Sequence, residues 1–160
     1  MLKGITSFIS DTTKKTWLMR GFGLTKVPLL FLCSPRIVRL DEDVCEVLIP
    51  FRKIVKNHVG SMYFGAMAIG ADTCVGMHAV DKISKSKKNV GFIFKDFKAQ
   101  FLKRAEGDAL FICEEGKAVQ DLIDEVLRTG ERAHKPIKAR AVVRGETVAE
   151  FELTLSLKIK

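Results

Sequence analysis

Residues 57–80 read NHVGSMYFGAMAIGADTCVGMHAV, and the portion from Ser61 to Val80 decides the fold. This portion contains no lysine, arginine, glutamate or proline, and its apolar and small residues fall on every side of a helical wheel. A helix that is apolar all round must be buried on all sides. The sequence therefore predicts a central helix over 61–80, about 30 Å long at 1.5 Å per residue, which the rest of the chain has to surround.

A membrane-spanning helix of the same length competes with this interpretation. Asp72 stands near the middle of the stretch, where a charged side chain costs roughly 2.5–3.5 kcal/mol on insertion scales. The alternating strands on both sides of the stretch also require a globular core to cover their apolar faces. We therefore expect no membrane insertion.

Most segments around the central helix show the two-residue alternation of half-buried strands. The clearest case is a C-terminal hairpin, in which residues 137–143 and 149–159 alternate apolar with polar side chains and Gly145 supplies the positive φ of the turn. A change in the spacing of phenylalanines predicts a β-bulge in a long strand over 90–104. The remaining predicted strands are two within 36–51, joined by a turn at 41–43, and one over 108–113.

Helical spacing predicts two further helices. One covers residues 2–20 and stops at Gly21 and Gly23, because glycine disfavours a helix interior. The other covers 116–128 and is amphipathic, with apolar residues three and four positions apart. The segments between these elements are a connecting stretch over 24–34 and a basic loop over 82–89.

These elements predict an α+β fold of one domain over residues 1–160, with the N-terminal helix as an extension. A curved antiparallel sheet of about six strands would wrap around the long central helix and bury most of it. A partner subunit is expected to cover the face of the helix that the sheet leaves open.

The charge balance favours an anionic ligand. Lys and Arg number 27 against 19 Asp and Glu, which gives a net charge of +8. Such a surface attracts nucleic acid, anionic lipid or a phosphorylated small molecule. The chain lacks the exposed aromatic and basic motif of single-strand binders, so we expect no nucleic-acid partner.

The cysteines and histidines do not form a metal-binding pattern. No two of the four cysteines are spaced as a Cys-x-x-Cys pair, and the three histidines complete no zinc motif. We expect reduced, buried thiols and no metal. The N-terminus lacks the apolar core of a signal peptide, so a cytoplasmic location is expected.

Four residues carry a resemblance to a known family. Asn57, Gly60, Gly65 and Asp72 occur in the order and register of the motif of the hotdog-fold thioesterases, an asparagine, then Gly-x-x-His-Gly-Gly, then an aspartate about two helical turns on. The chain resembles the PaaI-like branch of that superfamily and an uncharacterised branch beside it, over roughly residues 28–160. The resemblance implies a hotdog fold, an acyl-CoA thioesterase activity at a homodimer or dimer-of-dimers interface, and no cofactor beyond the coenzyme A of the substrate.

The resemblance also implies roles for the motif residues. Asp72 would act as general base on water or as nucleophile, and both options remain open. Asn57 would orient the water or the carboxylate. The backbone N–H groups of Phe64 and Gly65, at the start of the central helix, would bind the oxyanion of the thioester. His58 is a candidate for substrate binding, with a surface position as the alternative.

The motif departs from the family at two positions. Tyr63 stands where the family has histidine, and Phe64 stands where it has the first glycine of the pair. Tyr63 would supply a hydroxyl in place of the imidazole. Because of this departure, a non-catalytic hotdog protein that binds an acyl or other small ligand is the alternative function. A hotdog dehydratase would need a histidine beside the acid, and Asp72 has none placed there by the sequence.

Basic residues near the long strand are candidates for binding the phosphates of coenzyme A. The alternative for the basic loop is a solvated segment without a ligand. The candidate phosphate-binding residues are Lys87, Lys88, Lys98 and Arg104.

Overall fold

The structure, a computed structural model, describes residues 10–160 and confirms the predicted α+β architecture. One antiparallel sheet of six strands curves around a long helix, with the strands in the order β1-β2-β4-β5-β6-β3. The strands are β1 (Arg36–Leu40), β2 (Cys45–Ile49), β3 (Val90–Phe101), β4 (Ala109–Cys113), β5 (Ala133–Val143) and β6 (Glu146–Ile159). The helices are α1 (Asp11–Lys26), α2 (Pro28–Cys33), α3 (Phe64–Ser86) and α4 (Gly116–Thr129), with a short 3-10 turn at Lys53–Val55.

The central helix α3 is longer than predicted and lies further along the chain. It begins at Phe64, not at Ser61, because Met62 forms a β-bridge with Lys56 and holds the preceding segment in an extended conformation. It ends at Ser86, so the predicted basic loop over 82–89 is largely helical. Lys82 is buried there because its ammonium group lies 3.2 Å from the carboxylate of Glu42.

Burial of α3 is nearly complete on the side that faces the sheet. Ala71, Cys74, Val75 and Ala79 are fully buried against the strands. On another face of the same helix, Asp72 and Val80 are exposed in the isolated chain. The sheet therefore leaves one face of the helix uncovered, as expected.

The N-terminal helix was wrongly predicted to stop at Gly21 and Gly23. Helix α1 passes through both glycines and ends at Lys26, and the part of the prediction over residues 2–9 lies outside the described residues. Gly23 serves helix packing, since a Cβ at this position would stand 2.8 Å from Cδ2 of Leu30. The predicted connecting stretch over 24–34 thus contains a helix, α2, that crosses closely over α1 at this glycine.

Three other local predictions, a bulge, a turn and a helix end, are confirmed. The register of β3 against β6 shifts between Phe94 and Phe97, as the predicted bulge requires. Arg144 and Gly145, with φ of 50° and 82°, form the tight turn of the C-terminal hairpin. Helix α4 ends at Gly130 in the left-handed conformation, as a C-cap glycine does.

Strand β3 lies at an edge of the sheet and is unpaired on its outer side. Its side chains Ile93, Phe97 and Phe101 are more than one-third exposed. An edge strand with unpaired backbone groups and exposed apolar side chains is a template for pairing with another chain.

No helix among residues 10–160 combines the length and apolar character needed to cross a membrane. All four cysteines are buried free thiols. Burial raises the pKa of the Cys74 thiol well above its usual range, so this cysteine is no thiolate nucleophile.

Candidate active site

Asp72 lies about two turns into α3 and lines a cavity of about 540 Å³ between α1 and α3. The cavity wall is mainly apolar, with Leu18 and Phe22 from α1, Met77 from α3 and Phe92 from β3 among its residues. The Asp72 carboxylate is exposed to solvent at this wall and forms no hydrogen bond or ion pair with any of residues 10–160. Because the surrounding protein still excludes much of its water, the pKa of Asp72 is raised above its usual 3.8.

A second carboxylate in the same cavity has the opposite environment. Asp81 is buried and lies 2.9 Å from the ammonium groups of both Lys15 and Lys85. Burial alone would raise the pKa of Asp81, but the hydrogen bonds from Lys85 and Lys15 outweigh that effect and lower it. Two acids whose pKa values are pushed apart mark the candidate for acid–base chemistry, and the unpartnered Asp72 is that candidate.

The start of α3 offers hydrogen-bond donors without acceptors. Within residues 10–160, the N–H groups of Phe64, Gly65 and Ala66 have no backbone or side-chain acceptor, and no side chain caps the helix. Met67 is the first residue of the helix whose N–H group donates a backbone hydrogen bond, to the Tyr63 carbonyl at 3.1 Å. Free N–H groups and the helix dipole together favour negative charge at this end.

Tyr63 and Phe64 shape the surface above these donors. Both side chains are exposed, by 47% and 61%, and their ring centroids lie 4.7 Å apart. The Tyr63 ring covers Gly65 so closely that a Cβ there would stand 2.9 Å from Cδ1 of the ring. A side chain at position 65 would therefore displace the Tyr63 ring from this position.

Asn57 organises the loop that leads into α3. Its Oδ1 accepts hydrogen bonds from the N–H groups of Val59 and Ser61, both at 3.1 Å, and its Nδ2 donates to Ser61 Oγ at 3.0 Å. The loop turns at Gly60, whose φ is +82°. Asn57 is thus occupied within its own loop, whereas His58 beside it is exposed and free of side-chain hydrogen bonds within residues 10–160.

One chain does not bring these groups together. The cavity that Asp72 lines includes none of Asn57, Tyr63, Phe64 or Gly65. Asp72 follows Gly65 by seven residues, which places it roughly 11 Å along the helix axis at 1.5 Å per residue. A single chain therefore presents the acid and the helix start as two separate groups on α3.

The candidate phosphate-binding residues are also separated. Lys87 and Lys88 precede β3, whereas Lys98 lies near its far end, so the strand places them roughly 30 Å apart at 3.3 Å per residue. Lys98 pairs with Glu152 at 2.8 Å and lines a groove of about 620 Å³ on the sheet, away from Asp72. These residues and Arg104 form no single cluster within one chain.

Two features of the site could not be predicted from the sequence. Helix α1 supplies one wall of the Asp72 cavity through Leu18 and Phe22, because it packs against α3, a tertiary contact that the spacing of residues along α1 does not reveal. The pair of Lys15 and Asp81 fixes α1 to α3 across 66 residues of sequence. Only the four-residue spacing of Asp81 and Lys85 on α3 offered a local signal for this network.

Comparison with models of protein families identifies the family of this chain. A family model described as a domain of unknown function, DUF4442, matches residues 15–157. The chain belongs to the DUF4442 family. No curated protein matched the sequence.

Solved structures similar to this DUF4442 chain have the hotdog fold. A protein of unknown function from Pseudomonas aeruginosa is 22% identical, with a TM-score of 0.73 over 91% of this chain and 96% of the other. A protein of unknown function from Chlorobaculum tepidum is 12% identical, with a TM-score of 0.79 over 93% and 97%. A thioesterase from Haemophilus influenzae is 13% identical, with a TM-score of 0.64 over 85% and 86%. At these identities the likeness establishes the fold, as the sequence resemblance implied.

Proposed function

We propose that this DUF4442 protein is an acyl-CoA thioesterase-like hydrolase whose active site is shared between two copies of the chain. The observation that carries the proposal is Asp72, an acid without a partner among the described residues, on the wall of an apolar cavity. A carboxylate with a raised pKa on the wall of an apolar cavity is a candidate for a functional site. A hotdog neighbour is described as a thioesterase, which agrees with the proposal.

In this reaction Asp72 activates a water molecule. The raised pKa makes its carboxylate a stronger base than an ordinary aspartate. As the water oxygen attacks the thioester carbonyl carbon, Asp72 accepts the water proton. The C–S bond then breaks, and the departing thiolate takes up that proton to leave a free thiol and a carboxylic acid. In the alternative route Asp72 itself attacks the carbonyl carbon, the C–S bond breaks, and the thiolate leaves and takes a proton from water. A water molecule then hydrolyses the resulting anhydride, which releases the carboxylic acid and restores the Asp72 carboxylate.

The start of α3 stabilises the oxyanion. Its free N–H groups at Phe64 and Gly65 are donors of the kind that bind a developing alkoxide. They lie roughly 11 Å along the axis from the Asp72 of the same chain, so the proposal takes them from a second copy. The exposed edge of β3, with Ile93 and Phe97, is where the second copy would pair.

Tyr63 and Asn57 support this arrangement in different ways. The Tyr63 hydroxyl, on an exposed ring beside the helix start, replaces the imidazole of the family motif. Asn57 is a positioning residue, because its hydrogen bonds to Val59 and Ser61 hold the loop from which α3 begins.

The experiment is a thiol-release assay with a panel of acyl-CoA esters that varies in chain length and includes aromatic acyl groups. The wild-type protein should release thiol from at least one ester, and Asp72→Asn should lower kcat by roughly 100-fold or more. Asp124→Asn on α4 is the matched control and should retain activity. If no ester is hydrolysed, or Asp72→Asn is as active as the wild type, the hydrolase proposal fails.

A non-catalytic ligand-binding protein is the second candidate. The observation that favours it is the Tyr63 ring, which lies over Gly65 and narrows access to the helix start. This function predicts that acyl-CoA raises the melting temperature of the protein without any release of thiol. Turnover of a bound ester would exclude it.

A further inference from the structure

Three arginines converge on the turn between α2 and β1. Arg20 of α1 donates from Nη2 to the Ser34 carbonyl at 2.9 Å and from Nε to the Pro35 carbonyl at 3.1 Å. Arg52, after β2, donates from Nη2 to the Leu32 carbonyl at 3.2 Å and to Ser34 Oγ. Arg36 follows Pro35 directly in the chain. The guanidinium groups of Arg20 and Arg52 thus meet at Ser34, and Arg36 lies two residues further along the chain.

This cluster has no counter-ion in the described part of the chain. Among residues 10–160, none of the three arginines forms an ion pair with a carboxylate, whereas Arg39 and Arg140 each pair with one. The pKa of Arg20 is lowered, mainly by burial and to a smaller extent by the positive charges of Arg36 and Arg52. Like charges held together without an anion destabilise the fold.

Hydrogen bonds to backbone carbonyls account for only some of the donors of these arginines. Arg20 and Arg52 satisfy carbonyls at the end of α2, which is the negative end of that helix. The Arg36 side chain makes no hydrogen bond within residues 10–160 and is exposed. Nη1 of Arg20 and both Nε and Nη1 of Arg52 also donate to no atom of residues 10–160. The cluster therefore keeps several charged donors available around one point.

We propose that Arg20, Arg36 and Arg52 form a binding site for a phosphate group. Guanidinium groups recognise phosphate oxygens through paired, charge-assisted hydrogen bonds, and two of these three are already oriented by backbone carbonyls. The phosphate belongs either to a free small molecule or to the headgroup of an anionic lipid. The site does not depend on thioester hydrolysis, because it is defined by its own donors.

The test compares wild type, Arg36→Gln and Arg128→Gln. Arg36 is the informative position because its side chain is exposed and forms no hydrogen bond or ion pair with residues 10–160. Arg128 is an exposed arginine on α4 without an ion pair in the described residues, so its variant removes the same charge elsewhere. Binding is measured by calorimetry with inorganic pyrophosphate, with coenzyme A, and with vesicles of phosphatidylglycerol against phosphatidylcholine, all at matched ionic strength.

Wild type and Arg128→Gln should bind at least one phosphate ligand, and Arg36→Gln should bind it about tenfold more weakly. Binding of pyrophosphate or coenzyme A would show that the site takes a free phosphorylated molecule. Binding of phosphatidylglycerol vesicles alone would show that it takes a lipid headgroup. In phosphate-free, low-salt buffer the melting temperature of Arg36→Gln should equal or exceed that of wild type, since repulsion is relieved. The proposal is overturned if no phosphate ligand binds better than chloride, or if Arg36→Gln binds as tightly as Arg128→Gln.

Discussion

Gly70 on α3 lies directly against the ring of Phe111 on β4. A Cβ at Gly70 would stand 2.6 Å from Cδ2 of this ring, and Phe111 is fully buried with no room to move aside. The glycine thus sets how closely the central helix approaches the sheet, and this approach fixes the depth at which Asp72, two residues further on, stands.

Gly70→Ala should therefore destabilise the protein by about 1–3 kcal/mol through overpacking. Gly76→Ala on the same helix is the matched control, because a Cβ there lies 3.8 Å from the nearest atom of Phe92, an ordinary contact. The control should be neutral or stabilising by up to about 1 kcal/mol through helix propensity. Urea denaturation of both variants measures the difference, and equal stabilities would contradict this view of the helix–sheet contact.

Asp41 in the β1–β2 turn should make stability depend on acid pH. The N–H of Val44 at 2.9 Å, the guanidinium of Arg39 and the N–H of Asp43 lower the pKa of Asp41 from 3.8 to about 2. Because the folded-state pKa is lower than the unfolded one, this contribution is complete above about pH 4 and is lost as the pH falls to about 2.

Denaturation curves of wild type and Asp41→Asn between about pH 2 and pH 5 check this expectation. The wild type should lose more stability across that window than Asp41→Asn does. Asp124→Asn serves as the control and should follow the wild type. A parallel pH dependence of wild type and Asp41→Asn would show that the turn contributes nothing through its charge.

Asp72→Asn should stabilise the protein at neutral pH while it abolishes activity. The pKa of Asp72 is raised by burial, so the folded state loses stability as the pH rises above 3.8 and through the folded-state pKa. The neutral amide avoids this cost. The difference between variant and wild type should be largest near pH 7 and should vanish below about pH 3.8. A variant less stable than wild type at pH 7 would mean that Asp72 is a structural residue.

The fold was largely predictable because its signals are local. Alternation in the C-terminal hairpin and the parity shift in β3 depend on neighbouring residues only. The start of α3 was misplaced because the apolar Met62 is held extended by its bridge to Lys56, a contact that composition does not reveal. The role of Gly23 depends on its contact with Leu30, and the burial of Lys82 depends on its ion pair with Glu42. Tertiary packing alone brings these residues together.

The site was predictable only in part. The motif located Asp72 and the start of α3, but the cavity that Asp72 lines also depends on how α1 packs against α3, which no local pattern predicts. The roles of Asn57 and Tyr63 remain predictions. The proposed site takes its groups from two copies of the chain, and a single sequence does not show how two copies meet.

Phe64→Pro tests the oxyanion donor at the start of α3. Tyr63 has φ −63° and ψ 136°, the extended conformation that a residue before proline prefers, and proline is favoured at the first helical position. The substitution should therefore fold, yet it removes the Phe64 N–H and should lower kcat by roughly 100-fold or more. Phe64→Ala keeps the N–H and should retain activity. Equal activity of the two variants would exclude this N–H group as the donor.

The shared site is tested most directly by co-expressing the inactive variants Asp72→Asn and Phe64→Pro and measuring thiol release by the mixed protein. If each active site combines the acid of one copy with the helix start of the other, mixed dimers contain one intact site. The mixture should then recover about a quarter of wild-type activity. A mixture that contains mixed dimers but remains as inactive as its two parents would contradict a site built from two copies.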